Sequence, residues 1–292
     1  MKYAFLSDVL GSNMDRIGGP QSYSRGIETL LKRYADFEYI IVRGHFKDFL
    51  KSTDIDIVHV QSNMGIIIAA LRRNVRLIVG PSVVWQTATQ ELLHYPKMGS
   101  ALIVRPDPYP RKLNPEWMHK VKSFPPFVDE KFFVPSGNVK DIDVLTISKS
   151  FHYPEYELNL RKLIMGIKSL KLKHLHLDRY SLKQYKNALD RSKVLLFPSP
   201  RESGASTCFA LLECSMMDVP FIGLESVINP HPKEFNVCRG VRVKSIQGML
   251  EKLPFVLEEK YHPRAWTEAR FSMQMAYNRL RAIIEFAMLN SS

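Results

Sequence analysis

The residue types best suited to chemistry cluster in Phe197-Pro198-Ser199-Pro200-Arg201-Glu202-Ser203-Gly204-Ala205-Ser206-Thr207-Cys208-Phe209-Ala210-Leu211-Leu212-Glu213. A buried strand ends there in a loop of small residues that opens a helix. The first amides of that helix, and its positive dipole end, then face whatever lies beyond the strand. Gly204, Ala205 and Ser206 leave room for a phosphate to approach the main chain closely. Glu213, one to two turns in, can accept from both hydroxyls of a vicinal diol, because a carboxylate has two acceptor oxygens and no donor. The same residues also read as an N-cap and turn followed by a solvated glutamate. Spacing alone does not separate the two readings.

These residues must be positioned by an alternating α/β chain. The first strand, Tyr3–Leu6, leads into a loop over Asp8–Pro20 and a helix with Tyr23, Ile27, Leu30 and Leu31 at helical spacing. Strands over Glu38–Val42, Asp56–Val60 and Arg76–Val79 follow, with an apolar helix around Gly65–Arg72. A second series runs through Asp143–Ile147, Glu157–Leu170, Lys173–Leu177, Leu182–Leu189, Val194–Phe197 and Val219–Gly223. Short β-branched runs between helical stretches predict parallel sheets. The proline-rich stretch from Pro106 to Pro135, closed by Ser136-Gly137-Asn138, places a boundary that divides the chain into domains 1–137 and 138–262. Residues 263–292 read as one long helix with Trp266, Ala269, Met273, Ala276, Tyr277, Leu280, Ile283, Ile284 and Met288 on a single core-facing stripe.

Composition narrows the class. The chain has 292 residues, 45% hydrophobic and 24% charged, which excludes a disordered or low-complexity polypeptide. Its three cysteines, Cys208, Cys214 and Cys238, fit neither a zinc ribbon nor a redox pair and read as reduced thiols of a cytoplasmic protein. The N-terminus lacks the pattern of a secretory signal, and no apolar run is long enough to span a bilayer. The net charge of +12 favours an anionic partner: nucleic acid, an acidic membrane surface or a phosphorylated small molecule. Within the basic stretch Lys171–Lys193, the residues Lys173, Arg179, Lys183, Lys186, Arg191 and Lys193 read first as a solvated face. The alternative is a footprint for a polyanion, extended by Arg111, Lys112, Lys120 and Lys122. His59 reads as a buried strand histidine before a catalyst. His94, His119 and His231 have no ligand partners at metal-binding spacing. Gly18-Gly19 does not meet the G-x-G-x-x-G pattern, which leaves little support for a dinucleotide-dependent oxidoreductase.

Four stretches resemble the GT-B glycosyltransferases that use nucleotide sugars, and among them the glycosyltransferase group 1 family. Met1–Tyr34 is similar to the family's opening strand, Gly-Gly loop and first helix. Asp56–Val60 is similar to its Asp-Ile-Val-His strand, and Phe124–Pro135 to its interdomain phrase ending Val-Asp-x-x-x-Phe-x-Pro. Phe197–Gly223 resembles its Pro-Ser-x-x-Glu loop, Leu-Glu helix and Val-Pro-Phe-Ile strand. The resemblance implies two Rossmann-like domains facing across a cleft, with the C-terminal helix crossing back to the N-terminal domain. It implies a UDP- or GDP-linked sugar as co-substrate and no further cofactor. The Ser203, Gly204, Ala205 and Ser206 backbone would cradle the diphosphate, Glu213 would hold the ribose, and Gly18 and Gly19 would approach from the other domain. A hexose would pass, with retention and without a metal, to a glycan or lipid-linked acceptor held by the N-terminal domain.

The departures from the family pattern shape the remaining expectations. The family spaces two glutamates eight apart, whereas Glu202 and Glu213 are eleven apart. Either Glu202 still reaches the donor sugar as a catalytic group through a longer loop, or that contact is lost. Ser82 stands where the family often has histidine. Lys149 replaces its diphosphate-binding basic pair, with Arg161 or Lys162 as a second candidate charge. If the reaction inverts, Asp8 or Asp15 is a candidate base, although both read first as turn caps. The alternatives are transfer to a modified base in DNA, or a degenerate GT-B domain that binds nucleotide or nucleic acid without turnover. The basic balance suits either a membrane-peripheral location or DNA.

Overall fold

The computed structural model describes residues 1–7, 19–52, 54–61, 63–73, 75–81, 101–105, 120–147, 154–178, 180–198, 209–224 and 240–289. The chain forms two compact units: Met1–Met14, Gly19–Phe127 and Met273–Ser292 make the first, and Asp15–Gly18 with Val128–Ser272 the second. In the first, β1 (Lys2–Leu6), α1 (Gly19–Tyr34), β2 (Glu38–Val42), α2 (Phe46–Ser52), β3 (Ile57–Val60), α3 (Met64–Leu71), β4 (Arg76–Val79), β5 (Ala101–Arg105) and β6 (Val121–Ser123) follow one another. The second holds β7 (Ile142–Ile147), α4 (Pro154–Ser169), β8 (His174–Leu177), α5 (Leu182–Arg191), β9 (Ser192–Phe197), α6 (Phe209–Met216) and β10 (Phe221–Leu224). It ends with β11 (Gly240–Val243), α7 (Ile246–Glu258) and α8 (Pro263–Phe271), after which α9 (Met273–Leu289) belongs to the first unit.

The first sheet has the order β2-β1-β3-β4-β5-β6 and the second β11-β10-β9-β7-β8, with every pairing parallel. Parallel strands are covered on both faces, so their side chains alternate between two cores rather than between core and solvent. In the first unit Ala4, Leu6, Val58, Val60, Leu77 and Val79 pack on α2 and α3. On the opposite face, Tyr3 and Phe5 meet His59 edge-on, and α9 packs on α1, β3 and β4. In the second unit Val144, Val194, Leu196 and Ile222 pack on α4 and α7, while Leu145, Ile147, Leu195 and Phe197 pack on α5 and α6.

The long C-terminal helix expected from the sequence is two helices. Ser272 is extended (φ −70°, ψ 164°) and bridges to Val128, whose N–H donates to the Phe271 carbonyl at 2.8 Å. That carbonyl is thereby withdrawn from the helical ladder, and the helix stops. Ala269 is consequently exposed, while α8 buries Pro263 and Thr267. The exchange between units falls at 127/128 and 272/273, against the 137/138 and 262/263 read from the sequence.

Two local constraints hold the frame. Gly80 lies at φ +118°, and a Cβ there would sit 2.1 Å from the Val104 carbonyl oxygen, so neither conformation nor space admits a side chain. Arg264 gathers carbonyls from separate segments: Nη1 donates to Phe133 and Met216 at 2.6 Å each, and Nη2 to Glu130 at 3.1 Å. It thereby ties the Val-Asp-x-x-x-Phe-x-Pro phrase to the C-terminal end of α6. Arg264→Ala is expected to destabilise the second unit by about 2–3 kcal/mol, the scale for charged hydrogen bonds. Gly80→Ala is expected to destabilise the first unit by at least about 2 kcal/mol through backbone strain. Urea unfolding reads both, and wild-type midpoints would contradict these roles.

Candidate functional site

In each sheet the chain steps first to one side of its opening strand and then returns to the other. From β7 it goes outward to β8 and comes back to β9 on the opposite flank; from β1 it goes to β2 and returns to β3. Connections diverge at such a point and leave a crevice beyond the carboxyl ends of the two strands. The chain leaving β7 and β9 there is residues 148–153 and 199–208, which include Lys149, Glu202, Ser203, Gly204, Ala205 and Ser206. These lie outside the described residues, as do Gly18, Asp8, Asp15 and Ser82. Gly19 is the first residue of α1.

What the structure describes is the frame of this crevice. Because β9 and β10 are parallel, α6 runs back along the sheet and its amino end lies at the carboxyl edge. It is pinned at both ends. The buried Tyr185 hydroxyl donates to the Ala210 carbonyl at 2.9 Å in the first turn, and Arg264 holds the Met216 carbonyl at the last. All eight residues of α6 are buried, and Glu213, its one charged residue, is 3% exposed. The reading of Glu213 as a solvated helix residue therefore falls. A carboxylate at this depth is costly unless hydrogen-bond donors surround it.

The helix starting beside it differs in charge. The first turn of α4 carries Glu155 and Glu157, which oppose an anion, whereas that of α6 has no acid. Tyr156 donates its hydroxyl to the Ile147 carbonyl, and Asn159 donates to Pro198 at 3.4 Å, so α4 fixes the exits of both β7 and β9. Arg161 and Lys162 lie on its exposed outer face.

No family model matches the chain, and no curated protein matches it in sequence. Solved structures do. Sucrose-phosphate synthase from Thermosynechococcus elongatus superposes with a TM-score of 0.65 at 12% identity, covering 99% of this chain and 100% of that one. Anabaena HepE, solved with UDP and glucose, gives 0.62 at 10% identity over 98% and 99%. The chain has the GT-B fold. A Methanocaldococcus jannaschii UDP-GlcNAc 2-epimerase, in complex with UDP-GlcNAc and UDP, also matches, at 0.56 and 11% identity over 98% and 100%.

In this GT-B chain the first unit's switch point is lined by small buried polar groups that the motif reading missed. Ser24 donates to the Gln61 side chain, and Ser7, at the end of β1, keeps its hydroxyl buried. The available signal was a polar residue directly following each apolar strand, as Ser7 follows β1 and Gln61 follows β3. A second unforeseen cluster lies in the other unit, where the Thr146 hydroxyl sits 2.9 Å from both His174 and His176. Part of the basic stretch is neutralised: Arg191 pairs with Asp141 at 2.6 Å, and Lys193 with Asp143 at 2.7 Å. Lys122 stacks on Phe286 at 3.6 Å. Among the described residues no three His, Cys, Asp or Glu side chains converge to hold a metal ion.

His59 is a structural residue. It is fully buried, its Nε2 donates to the Gly80 carbonyl at 2.7 Å, and Nδ1 accepts from the Tyr3 hydroxyl. That arrangement fixes one neutral tautomer. Burial lowers its pKa to about 4, against the smaller opposing effect of the Gly80 bond. The unfolded chain protonates this imidazole near pH 6.5, before the folded one does, so stability is complete above that pH and falls as pH drops towards 4. The expected loss is about 3 kcal/mol across this window. Urea unfolding at stepped pH should show it and His59→Gln should flatten it; an unchanged slope would contradict the assignment.

Proposed function

We propose that this chain is a glycosyltransferase that moves a hexose from a nucleotide diphosphate sugar to an acceptor hydroxyl. The observation that carries the reading is the buried Glu213 on a helix fixed at both ends, whose acid-free amino end lies beside the second unit's switch point. The α6 amides receive the diphosphate, and Ser203, Gly204, Ala205 and Ser206 supply the close main-chain approach. The 2′- and 3′-hydroxyls of the ribose donate to Glu213, whose two carboxylate oxygens suit a vicinal diol. Lys149 adds positive charge, and Glu202 contacts the sugar. UDP is the favoured nucleotide, since UDP or a UDP-sugar occupies HepE and the epimerase.

In the transfer step the bond between the anomeric carbon and the diphosphate oxygen breaks, and the acceptor oxygen bonds that carbon with retention. The acceptor's proton passes to the departing phosphate. Charge growing on the diphosphate is stabilised by the fixed amides of the α6 end, which need no reorganisation during reaction and no metal. The first unit, with Ser7, Ser24 and Gln61, holds the acceptor side, and Gly18 and Gly19 are assigned to the diphosphate.

A thermal-shift series with UDP-, GDP- and ADP-sugars tests the donor, because a ligand that binds only the folded state raises the melting temperature. UDP-sugars are expected to give the largest rise. Glu213→Ala is expected to weaken donor binding by about 1–3 kcal/mol in calorimetry. Unchanged affinity in the folded variant would reject the assigned role. Release of free UDP with sugar transfer or hydrolysis is the expected turnover. A product still joined to UDP with an epimerised sugar would assign the other chemistry found on this fold.

A further inference from the structure

A second surface of the protein stands apart from the transfer reading. The outer face of α4 runs Leu158, Arg161, Lys162, Met165, Lys168 at helical spacing, and all five are exposed. Leu158 is 54% exposed and Met165 66%, while Leu170, in the turn that follows, is 42% exposed. The inner face is what the sheet needs: Tyr156, Leu160, Leu163 and Ile167 are buried, and Gly166 lies directly against Leu250 of α7. The outward aliphatics are therefore not required by the core of this unit.

Their charge setting is one-sided. From Leu158 to Leu177 the chain contains Arg161, Lys162, Lys168, Lys171 and Lys173 and no aspartate or glutamate. Among the described residues none of Arg161, Lys162, Lys168 and Lys171 makes an ion pair. The neighbouring α7 adds an exposed Phe255, covered in part by Lys252, but also carries Glu251 and Glu258, so the surface centres on α4. Glu155 and Glu157 confine it to the C-terminal two-thirds of the helix.

We infer that this face of α4 docks on an anionic phospholipid surface. Cations attract the headgroup charge, and Leu158, Met165 and Leu170 enter the boundary between headgroups and acyl chains, the division of labour of an interfacial helix. A helix of 16 residues is about 24 Å long, enough to lie along a bilayer over many headgroups. Among the described residues no helix is long and apolar enough to cross a membrane. A nucleic acid backbone matches the cations equally well, but it gives no return for exposed leucine and methionine between them.

Flotation of the purified full chain with vesicles of phosphatidylcholine, with and without phosphatidylglycerol, tests the inference. The protein is expected to float only with the anionic vesicles and to be released progressively by salt. Lys168→Glu/Lys171→Glu is expected to reduce binding tenfold or more, and Leu158→Ser/Met165→Ser several-fold, with melting temperatures kept as the check on folding. Absence of flotation at low salt, equal flotation with both vesicle types, or an apolar variant that floats like wild type would overturn it. So would tight duplex DNA binding that is lost in the charge variant, kept in the apolar one and unmatched by any lipid binding. The salt titration needs only the wild-type chain, and UDP-sugar binding followed separately distinguishes failure of this surface from failure of the donor assignment.

Discussion

The structure rests on a topological constraint of parallel sheets. Strands that run the same way must be joined by a return segment, and where both faces are buried that segment is a helix. Every such helix then begins at the carboxyl edge, and the edge opens where the chain changes direction across the sheet. In the second unit that opening falls between β7 and β9. One of its two flanking helices is acid-bearing at its start and the other is not, so the start of α6 is the more favourable of the two for an anion. The position of the candidate site is thus a consequence of strand order, and its selectivity a consequence of a few side chains.

Buried polar groups make that frame rigid. His59 joins β1, β3 and the turn after β4 through one neutral imidazole. Arg264 collects carbonyls from the 130–133 segment and α6, and Glu28, buried in α1, is held by Arg43 beyond β2. Each group would be expensive alone; with its partners satisfied it fixes the relative placement of segments distant in sequence. Tyr277 and Arg281 act similarly in the first unit, bonding to Asp36 so that α9 is tied to the end of α1.

Strands β1, β2, β3, β4, β7 and β9 were legible because their β-branched and aromatic runs are flanked by turn residues, and α1 because Tyr23, Ile27, Leu30 and Leu31 keep helical period. The three-residue β6 is too short to show a pattern. In α7, Pro254 argues locally against a helix, yet burial of Met249, Leu253 and Val256 outweighs it. The break at Ser272 has no glycine or proline to announce it. It is made by Val128, 144 positions away, through the Phe271 carbonyl. In the site, the small-residue loop and Glu213 stood out as a motif, but whether Glu213 is solvated or buried was decided by packing of α6 beneath Tyr185 and Arg264. The polar floor formed by Ser7, Ser24 and Gln61 was missed because it is assembled from three separate segments.

The central claim is that the amino end of α6 receives the diphosphate of a nucleotide sugar while Glu213 receives its ribose. A crystal structure of the protein with UDP tests this most directly. The account predicts phosphate oxygens within hydrogen-bond distance of the main-chain amides that open α6, and ribose hydroxyls on the Glu213 carboxylate. Uridine diphosphate seated elsewhere, with Glu213 engaged only by protein groups, would contradict it.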